Sequence, residues 1–392
     1  MKTPFPPEHS THSGVAEELR ALDPAYRREA ETFPKGAAPI LFHNGKRLLN
    51  LSANNYLSLA THPEVIEGAV AALRDHGTGA GSSRLVAGTS PAVTALEEEL
   101  ADFKQAPRAL VTPTGYMAAL AVLTALAGRN DGIVLEKSSH NCLVSGSRLS
   151  GARIAVFRRD RLASLESALR NLRDRHHVQR LLVVFDGIHS MDGDIAPLPE
   201  ILSIARRFGA LSIVDDAHAT GVIGTEGRGT CEYFSLLPEK DIVQMGTLSK
   251  ALGSQGGFLA GSEAIIALTL QKAPSFVYTT GINPASVGAA RAALKLLRKE
   301  PLRRKRLTEM TLSFREALHL DSIPSPIVPV VLGDPNLVME RKRFFLEKGV
   351  LVGGIRFPTV PRGTDRLRFS LQADHPREEL SRVLRLIRAD FR

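Results

Sequence analysis

From Leu49 onward the chain alternates short apolar runs with longer amphipathic stretches. The apolar runs fall at 109–112, 132–135, 153–156, 181–185, 211–214, 241–245 and 258–260. Most carry no polar face, so each predicts a strand covered on both sides, the mark of a mostly parallel sheet in an α/β fold. Helices are predicted over 63–75 and 91–103. The second opens with a strong signal, Ser90 as cap, Pro91 at the first helical position and Glu97 to Glu99 inside. Residues 1–48 are polar and Pro-rich, then helical over 15–31, which predicts an N-terminal arm and helix. After residue 282 the pattern changes to helices over 284–299 and 302–320, a strand at 327–331, a helix over 336–347, strands near Leu351 and Leu367, and a last helix from Pro376. The expected domains are therefore an arm (1–48), a large seven-stranded domain (49–282) and a smaller α+β C-terminal domain (283–392).

Composition narrows the class. Apolar residues make up 43% and charged residues 23% of 392, which fits a soluble globular protein. Fifty Lys and Arg against 41 Asp and Glu give +9, spread along the chain with clusters at Arg158-Arg159, 170–175 and 303–306. That excess reads either as solvated surface or as attraction for an anionic substrate such as an acyl-coenzyme A. No basic stripe with interleaved aromatics is present, which argues against nucleic acid. Two cysteines, Cys142 and Cys231, offer neither a disulfide framework nor a CxxC metal site, so no metal is expected. The start has no apolar signal core, and the longest apolar run, around 118–127, is too short to cross a bilayer; a cytoplasmic protein without a membrane partner is expected.

The candidate chemistry gathers at strand ends, where ligands bind in such sheets. Lys250 lies in Gly246-Thr247-Leu248-Ser249-Lys250, directly after an apolar run. Alone it reads as a surface cation. With Thr247, Ser249, Gly253 and Gly256-Gly257 around it, it reads as a lysine that forms a Schiff base with the aldehyde of pyridoxal phosphate (PLP). Asp215 ends another run and can pair with the protonated pyridine nitrogen, or cap the next helix. His218, three residues on, can reach the ring oxygen or be structural. His140 can stack on the ring or simply start a helix. The amides of Gly115 and Tyr116, after Thr114, suit a phosphate. The glycine-rich stretch Gly77 to Arg84 lacks the Gly-Lys-Ser/Thr ending of a Walker loop and predicts a site wall or a subunit contact.

An ordered set of motifs then resembles one family. It comprises Asn54-Asn55-Tyr56-Leu57-Ser58-Leu59, Gly79-Ala80-Gly81-Ser82-Ser83-Arg84, Leu96-Glu97-Glu98-Glu99-Leu100, Ser190-Met191-Asp192-Gly193-Asp194, Asp215-Asp216-Ala217-His218-Ala219-Thr220-Gly221, Thr247-Leu248-Ser249-Lys250, and Pro358-Thr359-Val360-Pro361 with Arg366-Leu367-Arg368. The chain resembles the α-oxoamine synthases, PLP enzymes of fold type I that condense a small amino acid with an acyl thioester and release carbon dioxide. The resemblance implies that Lys250 also removes the amino acid's α-proton, that Ser190 joins His218 at the ring oxygen, and that Arg368 and Asn54 hold the substrate carboxylate. It implies that Thr279 and Thr280 reach the phosphate from a second subunit, hence a homodimer with its site at the interface. The 358–368 segment is most like members that join L-alanine to a pimeloyl thioester. Ser58, Val93, Asn141-Cys142 and Gly281 depart from the usual pattern, which leaves open glycine- or serine-using chemistry, the acyl length, and coenzyme A against acyl carrier protein. A PLP-binding sensor module is a remote alternative, since it calls for an attached DNA-binding region.

Overall fold

The structure, a computed structural model, describes residues 13–28 and 30–390. Residues 1–12 of the expected arm lie outside the described residues. Twelve strands run in chain order: β1 (Ile40–His43), β2 (Lys46–Leu51), β3 (Arg108–Thr112), β4 (Gly132–Glu136), β5 (Arg153–Phe157), β6 (Leu181–Asp186), β7 (Leu211–Asp215), β8 (Ile242–Thr247), β9 (Gly257–Gly261), β10 (Ile327–Val331), β11 (Val350–Ile355) and β12 (Arg366–Ser370).

Strands β3 to β9 form one seven-stranded sheet in the order β3-β9-β8-β7-β6-β4-β5. Only β9 runs antiparallel to its neighbours. Along β6 the side chains alternate between two cores: Leu182 and Val184 pack with helices Gly115–Leu126 and Asn141–Leu149, while Leu181, Val183 and Phe185 pack with Ala163–His176 and Leu198–Arg207. Cover on both faces is why β4, β6, β8 and β9 are buried along their whole length. Because β4, β6, β7 and β8 are parallel, their carboxyl ends, Glu136, Asp186, Asp215 and Thr247, come to one edge of the sheet.

The second sheet has the order β1-β2-β11-β12-β10. Its first two strands come from residues 40–51, so the end of the expected arm is built into the sheet of the C-terminal part. Leu49 pairs with Val350 in a parallel ladder. Asn44 and Gly45, with φ of 50° and 75°, supply the two-residue turn that closes the β1–β2 hairpin. The helix expected over 15–31 is shorter than its pattern: it spans Ser13–Ala21, and Asp23 then caps a 3-10 turn at Pro24–Tyr26. Pro24 has no amide to continue the helix ladder. Three other helices begin as their sequences predict, with a side-chain cap followed by proline: His62 before Pro63–His76, Ser90 before Pro91–Phe103 and Asn283 before Pro284–Lys299. The helix expected over 302–320 runs Pro301–Glu316. Among the described residues no helix is long and apolar enough to cross a membrane.

Candidate active site

A cavity of about 260 Å³ opens at the carboxyl ends of β4, β6, β7 and β8. Eight of the residues singled out in the sequence line it together: Gly115, Tyr116, His140, Asp215, His218, Thr247, Ser249 and Lys250. Cys142 and Asp186, which were given no role, line it as well.

One wall is a cradle of donors. Thr114 caps helix Gly115–Leu126 by accepting from the Met117 amide at 3.1 Å, and the first-turn amides of Gly115 and Tyr116 have no partner within the helix. Opposite, the Thr247 hydroxyl donates to the Gly256 carbonyl at 2.8 Å and lies 2.7 Å from the Ser249 hydroxyl. The two halves pack closely at Gly115, which has no side chain: a Cβ there would sit 3.1 Å from Thr247 Cβ and press the halves apart. Gly257 is tighter still, since its Cβ would lie 2.4 Å from the Thr114 carbonyl oxygen. Backbone amides at a helix start, hydroxyls and no bulk make a phosphate cradle.

The opposite wall carries the titrating groups. Lys250 Nζ lies 3.0 Å from His218 Nε2. Burial lowers the proton affinity of the Lys250 amine, and the Asp215 carboxylate only partly restores it. Asp215 is buried and accepts from the Ala217 amide at 2.9 Å, a local cap, while its other oxygen faces Cys142 Sγ at 3.9 Å. Burial raises its pKa, against the pull of Lys250. Asp186 is pushed up to about 7 by burial and then by Asp215. His140 does start a helix, Asn141–Leu149, as its plainer reading held, yet its ring also lines the cavity. Its amide donates to Asp186 and its Nδ1 lies 2.9 Å from Cys142 Sγ. Burial lowers the pKa of both His140 and His218, and raises that of the Cys142 thiol.

Behind this wall Asp216 forms an ion pair with Lys104, Nζ to Oδ2 2.9 Å, both side chains fully buried. Asp216 also accepts from the Thr230 hydroxyl at 2.5 Å and amide at 3.2 Å. The pair pins the turn that carries both Asp215 and His218.

Asn54 and Arg368 stand beside the cavity rather than in its lining. Arg368 donates to Asn54 Oδ1 at 3.1 Å, to the Ser370 hydroxyl at 2.8 Å and to the Ser190 carbonyl at 2.7 Å. Ser190 thus presents its backbone to Arg368, and its side chain does not line the cavity. Tyr56 joins the two groups: its hydroxyl lies 2.6 Å from His218 Nδ1, 3.1 Å from Asn54 Oδ1 and 3.5 Å from Arg368 Nη2. Thr279 and Thr280 are away from the cavity of their own chain; Thr280 forms a bridge with Ser83 of the glycine-rich stretch. In that stretch Arg84 is buried and grips both Glu97 oxygens at 2.9 and 3.0 Å and the Val111 carbonyl at 3.1 Å, a wall of the fold.

The departures from the family pattern have physical readings too. Ser58 stands at φ 57°, where glycine is unstrained, and its hydroxyl accepts from the Asp374 amide at 3.2 Å. Val93 is buried in the core, and Asn141 accepts from the Tyr116 hydroxyl at 3.0 Å.

The donor set fits PLP: a phosphate cradle, a buried carboxylate for the ring nitrogen, two imidazoles and a buried amine. Comparison with known proteins leads to the same place. Residues 46–387 match the family described as aminotransferase class I and II. An 8-amino-7-oxononanoate synthase of Methylococcus capsulatus is 44% identical over 373 residues, 94% of this chain and 95% of that one. A serine palmitoyltransferase structure from Sphingomonas wittichii superposes with a TM-score of 0.88 at 30% identity over 96% of both chains. A high-resolution structure of SPT with PLP superposes with a TM-score of 0.87 at 29% identity, again over 96% of both.

Proposed function

The chain belongs to the aminotransferase class I and II family, as a PLP-dependent acyltransferase of the α-oxoamine synthases, and from that premise we propose that it makes 8-amino-7-oxononanoate in biotin biosynthesis. The substrates in this reading are L-alanine and a pimeloyl thioester, with carbon dioxide and the free thiol released. The observation that carries it is identity to a synthase of that name across nearly the whole length of both chains.

Bound PLP supplies an electron sink for the amino acid's α-carbon. The protein's own groups do the rest. Gly115 and Tyr116 amides, Thr247 and Ser249 would hold the phosphate, and Asp215 would keep a proton on the ring nitrogen. His140 would face the ring and His218 its oxygen, while Ser190, expected beside His218, gives its carbonyl to Arg368 and keeps its side chain out of the cavity lining. Lys250, held by burial below its ordinary basicity, is the amine that would hold the cofactor aldehyde and the base that would receive the α-proton at Nζ. Arg368 and Asn54 receive the carboxylate, for which a planar guanidinium is suited. Thr279 and Thr280 reach the phosphate cradle of a second copy, so the working unit is a cytoplasmic homodimer with its sites at the interface.

The serine palmitoyltransferase likeness favours a second reading, a serine-using enzyme with a longer acyl chain. The test is a mass-spectrometric product assay of PLP-loaded protein with pimeloyl-coenzyme A or pimeloyl-acyl carrier protein and, in separate tubes, alanine, glycine or serine. An amino ketone from alanine alone supports the first reading. Product only from serine or glycine, or only with another acyl thioester, replaces it while keeping the reaction type.

A further inference from the structure

We propose that His189 is a positioning residue for this reaction: as a buried imidazolium it ties the loop that carries His140 to the strand that carries Arg368, and so gives amino-acid binding an upper pH limit. The partners of its two nitrogens fix the charge. His189 Nε2 lies 2.6 Å from the Ser138 carbonyl, which can only accept, so Nε2 carries a proton. Its Nδ1 lies 2.6 Å from Asp192 Oδ2 and 3.9 Å from Asp194 Oδ1. An imidazole is ordinarily a far stronger base than a carboxyl group, so the proton between His189 and Asp192 sits on Nδ1. Against burial, that hydrogen bond and the charge of Arg366 hold Asp192 at about 2, a carboxylate that also can only accept. Both ring nitrogens therefore donate, and the ring is positively charged.

Each bond of this ring leads to one side of the site. Ser138 lies in the turn after β4, two residues before His140, whose own amide is held by Asp186. On the other side Asp192 accepts from Arg366, which lies on β12 two residues before Arg368, so both arginines leave the same face of that strand. The turn after His189 grips β12 twice, through Asp192 to Arg366 and through the Ser190 carbonyl to Arg368 Nε at 2.7 Å. Gly193, at φ 73°, lets this turn lie against β10, where a Cβ would run into the Ile327 carbonyl oxygen. His189 joins that grip to the large sheet. It stands outside the cavity lining and acts through its neighbours.

The charged groups that face His189 are Asp186, Asp192, Asp194 and Arg159, with His140 and His218 near enough to feel its charge. Burial opposes the charge of the ring. The Asp192 hydrogen bond, then the field of Asp186, outweigh it and raise the pKa of His189 above the ordinary histidine value. The folded protein thus holds this proton more tightly than the unfolded chain does. The tie is complete below the ordinary histidine value and is lost as pH rises through the raised one. The proton that leaves is the one on Nδ1, since Nε2 is committed to a carbonyl. A bare nitrogen then faces the Asp192 carboxylate, and the link to β12 is broken.

This inference rests on Arg368 receiving the amino acid, as proposed above, and the test separates the two. PLP-loaded wild type and His189→Gln are titrated with alanine, glycine and serine, read by cofactor absorbance, from about pH 6 to about pH 9. Glutamine keeps a donor toward Ser138 and removes the one toward Asp192. At the low end the wild type should bind its amino acid about tenfold more tightly than the variant, the loss of a charged hydrogen bond. The ratio should fall toward one at the high end, while PLP affinity differs by less than about twofold. The titration of the cofactor linkage itself is common to both proteins and cancels in the ratio. A ratio that does not change with pH is a merely structural effect and overturns the inference. A wild type that takes none of the three amino acids at any pH overturns the reading of Arg368, and this inference with it. A nitrogen NMR spectrum of the histidine-labelled holoenzyme tests the charge without substrate, with His189 identified by its absence in His189→Gln or, should that variant not fold, in His189→Asn. Two protonated nitrogens at neutral pH are expected, with Nδ1 losing its proton only above the ordinary histidine value. A neutral ring at neutral pH overturns the inference while leaving the reading of Arg368 in place.

Discussion

Replacing Lys104 with methionine tests whether the ground behind the site is as rigid as its bonding implies. Methionine keeps most of the stem and removes only the ammonium. Lys104 Nζ bonds Asp216 Oδ2 at 2.9 Å, the Arg228 carbonyl, and the Thr220 hydroxyl at 3.5 Å, with both charged groups wholly buried. Removing the cation leaves Asp216 as an uncompensated carboxylate, held only by the Thr230 amide and hydroxyl. Breaking a buried pair in this way costs about 3–5 kcal/mol. Unfolding entropy of about 2.1 cal/mol/K per residue gives about 0.8 kcal/mol/K for 392 residues, so the melting temperature should fall by about 4–6 °C. Scanning calorimetry of the PLP-loaded protein measures it.

The double variant Lys104→Met with Asp216→Asn removes both charges and should recover most of the loss, since a buried pair stabilises little against a neutral replacement. A single variant melting within about a degree of the wild type would refute the reasoning, because a stranded buried charge has a cost that nothing else in this bonding offsets. So would a double variant that melts well below the single one.

Three further expectations concern the site. Arg368→Ala should weaken amino-acid binding roughly 10- to 100-fold, the loss of a charged hydrogen-bonding partner, while PLP stays bound; spectral titration with alanine reads both, and unchanged affinity removes Arg368 from the substrate site. Lys250→Ala should abolish the borohydride-fixable link between protein and cofactor, read by intact mass; a retained link sinks the assignment. Asp186 gives a pH dependence whose sign is fixed. Its folded pKa of about 7 lies above the ordinary carboxylate value, so the folded state binds the extra proton and this contribution to stability is lost as pH rises from about 4 to 7. The stability of the cofactor-free wild type relative to Asp186→Asn should therefore increase on acidification from pH 7 to pH 5 in denaturant titrations, and a flat difference contradicts the burial argument.

The legibility of the fold followed burial. Six of the seven strands of the large sheet stand out because residues such as Val183 and Val184 are covered on opposite faces, which leaves few polar positions to blur the run; β5, at the sheet edge, has the apolar run without the cover it predicts, and its Ile154 and Val156 are exposed. Strands β1 and β2 did not stand out. Lys46 and Arg47 break their apolar pattern, and the ladder that orders β2 is with Val350 to Val352, some three hundred positions away. The same distinction divides the site. Asp215 ends a strand, and Lys250 and His140 each follow one, so sequence position implies location. Tyr56 joins His218 to Arg368 through contacts 162 and 312 positions distant, which no local pattern encodes. Lys104 carried one legible hint: two adjacent acids, Asp215 and Asp216, at the end of a buried strand require a cation from somewhere, though the sequence does not say which.

A single physical cause accounts for the chemical poise of the cavity. Burial raises the pKa of Asp186 and Asp215 and lowers that of Lys250, His140 and His218. Acids and bases that lie far apart in water are drawn toward one another, because low dielectric penalises every charge. In the reaction proposed above, where the Lys250 amine takes a proton and returns it, this convergence is the useful property: transfer is easiest when donor and acceptor differ little in affinity. The apolar cover on both faces of the sheet that makes the strands readable also closes off the far side of this cavity, so the feature that specifies the fold also tunes Lys250.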